Sequence, residues 1–111
     1  MTALANEAHE IRVLQTKEDY IKAITELSHL IGVFSEKKNR YMILGMSEAL
    51  GLSLYNFRSF IKDISLINQN AYVLKKCINL KTSEKDLSDE NFFAEIKELK
   101  ESVDNLLNSL S

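Results

Sequence analysis

This sequence predicts an all-α fold, an up-and-down bundle of four main helices with a short extra helix at the N-terminal side. Three observations lead there. The 111 residues contain no proline and only three glycines, so almost nothing in the chain interrupts a helix. Apolar residues recur at spacings of three and four along nearly the whole sequence, the period of one helical face. The polar stretches between these runs are short, which favours antiparallel neighbours. With 45% hydrophobic and 27% charged residues, the composition is that of an ordinary globular protein, and the length suits one domain over residues 1–111.

The elements follow in order. Residues 3–14 read as a short, weakly patterned helix. Thr16 then offers an N-cap, with Asp19 in the place of the capping-box acid. The helix behind it, over 17–34, lines up Ile21, Ile24, Leu27, Leu30, Ile31 and Phe34. The polar SEKKN connects it to a third helix over 40–50, which Gly51 terminates because glycine takes positive φ without strain. Ser53 caps the fourth, read as one long helix over 54–79. Its stripe is Phe57, Phe60, Ile61, Ile64, Ile67, Ala71, Leu74 and Ile78. LKTSEKDLSDEN is the clearest loop. A last helix over 89–110 places Phe92, Ile96, Leu99, Val103, Leu106 and Leu110 at alternating spacings of four and three, a seam of about two and a half heptads.

The charge divides by region. The chain is −2 overall, with −3 over residues 1–36, +6 over 37–83 and −5 over 84–111. Acidic ends can neutralise a basic middle within one fold, and that is the reading the sequence favours. The alternative is a basic face that meets an anion. The most apolar segment, residues 41–55, is broken by Ser47, Glu48 and Ser53 and is too short and polar to span a bilayer, so no membrane association is expected. A single cysteine, Cys77, permits no internal disulfide, and the N-terminus lacks a basic region followed by an apolar run. Together these point to the cytoplasm.

Function is less sharply drawn. MSEALGLSLYNFRSFIKDI, residues 46–64, resembles the helix-turn-helix class over about twenty residues. Ser47 is the small residue of its first helix, Gly51 the turn glycine, and Met46, Leu50, Leu52, Phe57 and Phe60 the apolar contacts. That resemblance implies a DNA-binding regulator using residues 43–62, with Ser53, Tyr55, Asn56, Arg58, Ser59 and Lys62 facing a major groove. Phe57 is bulky for so tight a crossing, however, and the same residues suit a plain joint between two bundle helices.

The favoured reading is a non-catalytic adaptor or regulator that binds a protein partner, as small chaperones, inhibitors and immunity proteins do. Lys37, Lys38, Arg40, Arg58 and Lys62 would set partner choice. The C-terminal seam, Phe92, Ile96, Leu99, Val103, Leu106 and Leu110, offers either a face for the core or a homodimer interface. No cofactor is called for. His9, His29 and Cys77 match no zinc spacing, and the chain has neither a glycine-rich phosphate loop nor a nucleophile elbow. Enzymatic activity is not expected.

Overall fold

Four α-helices carry residues 16–110, the part of the chain that the computed structural model describes. They are α1 (Lys17–Glu36), α2 (Arg40–Phe57), α3 (Ile64–Ser83) and α4 (Asp89–Leu110), with single 3-10 turns at Arg58–Phe60 and Glu84–Asp86. The helix expected over 3–14 lies outside the described residues. α1 packs on α2, α2 on α3, α3 on α4, and α4 closes the ring on α1. The four-helix bundle is as the sequence predicts.

The N-terminal half follows the sequence closely. Thr16 accepts from the Asp19 amide at 3.2 Å, and the Asp19 carboxylate accepts from the Thr16 amide at 3.2 Å. This reciprocal capping box satisfies two donors that a helix start would leave unpaired. α1 stops in a Schellman turn: the Asn39 amide donates to Phe34 O at 2.9 Å and the Lys38 amide to Ser35 O at 3.1 Å. Lys38 holds the left-handed position, φ 55°, where glycine is more usual. Asn39 then caps α2 at once, accepting from the Met42 amide, so the reversal between the two helices takes only three residues.

The second half departs from the sequence reading in two places. Gly51 does not end a helix. α2 runs straight through it to Phe57, and Gly51 is buried against α3, where a Cβ would lie 3.4 Å from Cys77 Cβ. A glycine at a helix crossing had the signature of a turn, but its use here is close approach. The expected helices over 40–50 and 54–79 are therefore redrawn as 40–57 and 64–83. Ser53 is buried inside α2 and caps nothing.

The long rod is broken after Phe60. Ile61 and Asp63 are extended, and Asp63 Oδ1 accepts from the Ser65 and Leu66 amides at 2.8 and 3.2 Å, so the carboxylate starts α3 anew. At the end of α2 the Arg58 amide donates to Tyr55 O, which leaves Leu54 O without its helical donor. Asn70, from α3 and fully buried, supplies one: its Nδ2 donates to Leu54 O at 3.0 Å. The new helix is thus keyed by Asn70. Its inner face is Asn70, Val73, Cys77 and Leu80; of the stripe expected inside, Phe57 and Ile61 are buried and Phe60 and Leu74 half-buried, whereas Ile64, Ile67, Ala71 and Ile78 are turned outward.

The core combines Ile24 and Ile31 of α1, Ile43, Leu50, Leu54 and Phe57 of α2, that inner face of α3, and Phe92, Ile96, Leu99, Val103 and Leu106 of α4. The α4 seam is therefore spent on its own bundle, with all five of these side chains buried and Leu110 partly so. It is not free to form the homodimer that the sequence offered. Tyr20 ties the start of α1 to the end of α2, its ring 5.3 Å from Phe60 and 6.2 Å from Phe57.

At the opposite end, Arg40 is a latch. It donates to Glu84 O and Leu87 O, pairs with Asp89 at 2.8 Å and Glu84 at 3.2 Å, and lies 4.3 Å over the Phe92 ring. Lys100 of α4 donates to Ser28 O of α1 at 2.8 Å, passing over Gly32, where a Cβ would crowd it at 3.2 Å.

Two stability outcomes follow. Gly51→Ala should leave stability unchanged or raise it by up to about 1 kcal/mol, because the position is helical, alanine is the better helix former and the added Cβ would just touch Cys77; a loss beyond about 1 kcal/mol on urea denaturation would mean that the Cβ crowds α3 or that the residue is not helical. Arg40→Met should cost about 1–3 kcal/mol, since it strips donors from two partly buried carbonyls, and Arg40→Lys should recover only part of that because it lacks the planar fork.

Candidate functional site

α2 and α3 run antiparallel, and the cleft between them is where apolar side chains meet water. Leu52 projects from α2 and is 63% exposed; on α3, Ile64 is 76% and Ile78 53% exposed. Ile67 and Tyr55 are also exposed. On α3, Ile64, Ile67, Ala71 and Ile78 share one helical face with half-buried Leu74, so the α3 part of the stripe that the sequence assigned to the core forms an outer face instead. Isolated exposed leucines need no explanation, but a contiguous row of them does.

Leu52, Ile67 and Ile78 of this row border two adjoining depressions, of about 510 and 330 Å³. Leu52, Leu74, Cys77 and Ile78 line the larger, with Gly45, Ala49 and Gly51 keeping its α2 wall low. Ile61, Ile67, Ala71, Leu74 and Ile78 line the smaller, together with Arg58 and Lys75. Leu74 and Ile78 line both, so the two depressions adjoin along α3.

The rim is cationic. Arg58 is held in place: its Nε donates to Tyr55 O at 2.8 Å and its guanidinium sits 3.7 Å from the centre of the Tyr55 ring. Lys75 makes no ion pair among the described residues. Glu48 is the one carboxylate lining either depression, and Lys81 already neutralises it at 2.8 Å.

The sequence-predicted site residues are scattered. Lys37 and Lys38 are exposed at the α1–α2 turn, with Lys38 Nζ 4.6 Å from the centre of the Phe93 ring. Arg40 is turned inward by its latch and is unavailable to a partner. Arg58 and Lys62 stand exposed beyond the far end of α2, about 27 Å away along a helix of this length. The five do not form one face. Of the residues proposed to read DNA, Tyr55, Asn56, Arg58, Ser59 and Lys62 are exposed, whereas Ser53 is buried. They do not share one recognition helix, since α2 ends at Phe57 and Lys62 lies past the 3-10 turn.

What sequence reasoning missed is the outward stripe. A signal for it was present: Leu66, Asn70, Val73, Cys77 and Leu80 also follow helical spacing, and Asp63 is a good N-cap.

Cys77 touches the crevice as a packed, buried side chain. Only 5% exposed, its thiol is pushed by burial from an ordinary 9.0 up to about 12, so at neutral pH it is fully protonated. Among the described residues, no group of three or more His, Cys, Asp or Glu side chains could hold a metal, and no helix is long and apolar enough to cross a membrane.

Compared with protein-family models, curated proteins and solved structures, the chain matches none of them.

A thiol reagent checks the Cys77 assignment. At neutral pH labelling should be slow and should accelerate in step with unfolding by urea; rapid labelling of the native protein would place the thiol in the open crevice. The sign of its pH effect is fixed too. Above pH 9 the unfolded chain loses the thiol proton and the native one keeps it, so this group's contribution to stability falls between pH 9 and about 12.

Proposed function

We propose that this protein is a non-catalytic adaptor or regulator that binds a protein partner through the α2–α3 crevice. One observation carries the reading: Leu52, Ile67 and Ile78 are exposed and line the depressions between α2 and α3, with exposed Ile64 one turn before Ile67 on the same face of α3. Such patches mark interaction sites on small proteins. The anchors are apolar and the charges lie at the rim, the arrangement in which affinity comes from the centre and encounter from the edge. A reducing, cytoplasmic setting suits a lone thiol that is buried and unpaired.

DNA binding is the second reading. It is supported by the +6 charge of residues 37–83 and by the exposure of Tyr55, Asn56, Arg58, Ser59 and Lys62. It is weakened by Gly51, which lies within α2 where the motif requires a turn.

Affinity capture from the parent organism's lysate separates the two. The wild-type chain should retain a stoichiometric protein, and the Leu52→Gln/Ile78→Gln double variant should lose it while keeping the wild-type helical signal. Retention of the same protein by the double variant would overturn the crevice as the site. Recovery of nucleic acid alone, in a form that dissociates steeply with added salt, would favour the DNA reading.

A further inference from the structure

We infer that the occupant of the crevice is an acidic amphipathic helix of a partner protein, of about three turns. The inference rests on the protein-binding reading above and adds the chemistry of the partner.

The shape argues for a helix. All the described regular structure is helical, so the described residues offer no sheet edge and an extended peptide would find no backbone ladder among them to join. A helix brings its own backbone hydrogen bonds and needs only a trough for its apolar stripe. Ile67, Ala71, Leu74 and Ile78 extend over about 16 Å of α3, which accommodates anchors at i, i+4 and i+7 of a facing helix. Gly45, Ala49 and Gly51 keep the opposite wall low enough for a helix to settle between α2 and α3.

The charge argues for acid. Arg58 and Lys75 line the crevice without carboxylate partners among the described residues, Lys62 lies exposed in the linker beside Ile61, and Glu48 is spent on Lys81. Arg58 is fixed by Tyr55, so its charge is presented without further ordering.

A second copy of this chain fits poorly. A two-fold pairing of the crevice would set its cationic rim against a second rim of the same charge. The acidic outer face of α4 has the right sign, but the apolar seam of α4 is buried in the bundle. An anionic lipid surface shares the charge preference, yet it prefers a convex face to a cleft.

The test uses the full chain, labelled with 15N, and two synthetic helical peptides of about eighteen residues. Both carry leucines at i, i+4, i+7 and i+11. One has glutamates at the flanking positions and the other has lysines there. The acidic peptide should bind at least tenfold tighter than its basic twin. Its amide shifts should centre on Leu52, Tyr55, Ile67, Leu74 and Ile78. Arg58→Glu/Lys75→Glu should reverse the preference, a result that mere loss of folding cannot produce. Equal binding of the twins, preference for the basic one, binding of neither, or co-sedimentation with phosphatidylserine vesicles without peptide binding would each overturn the inference. If lysate capture still shows a protein lost on Leu52→Gln/Ile78→Gln, the protein-binding reading survives that failure.

Discussion

The hydrogen bond from Asn70 Nδ2 to Leu54 O, together with the Asp63 cap a few residues before it, sets the arrangement of the rest of the molecule. A carbonyl left over at the end of α2 and a side-chain amide on α3 meet in the dry interior at 3.0 Å, where an unpaired carbonyl would cost about 1–3 kcal/mol. That pairing fixes which face of α3 turns inward. With Asn70 inside, Val73, Cys77 and Leu80 follow it into the core, and the isoleucines of α3 are committed to solvent. The exposed crevice is therefore a consequence of where one side-chain amide finds its acceptor, the Asn70 Nδ2 being paired while its buried Oδ1 is not.

Other polar ties act at the ends and seams of the bundle. Arg40 holds the α3–α4 linker at one end by donating to two of its carbonyls, and Lys100 reaches from α4 to Ser28 O on α1. Ser28, Ser47 and Ser53 are buried among larger apolar groups. Small residues of this kind let helices approach closely, as Gly51 does against Cys77. Apolar packing supplies most of the driving force, while these directional contacts select one rotation for each helix.

Much of the fold was legible because its signals were local. The Thr16 capping box, the seam from Phe92 to Leu106 and the absence of proline each state their consequence within one segment, and the structure bears them out. The break after Phe60 was not legible in that way. Residues 57 to 78 carry an unbroken apolar stripe, and the competing stripe contains Asn70, a polar residue that periodicity discounts. Its burial depends on Leu54 O, a partner sixteen residues earlier. Gly51 misled for a related reason: glycine marks turns and close crossings alike, and only the neighbour that approaches decides between them. The candidate site inherits these errors. Exposed cations were foreseen at Arg58 and Lys62, but the apolar wall beside them was assigned to the interior, and Arg40 was taken for a surface charge when it is bound to the linker.

The rotation of α3 decides whether the crevice exists, and urea denaturation of two matched variants tests it most directly. Ile67→Lys places a charge on the face held to be outside, and Val73→Lys places one on the face held to be inside. The predicted result is that Ile67→Lys stays within about 0.5 kcal/mol of the parent while Val73→Lys loses more than about 3 kcal/mol or fails to fold. The opposite ranking would mean an unbroken helix from 54 to 79 with its isoleucines buried, and the crevice would not exist.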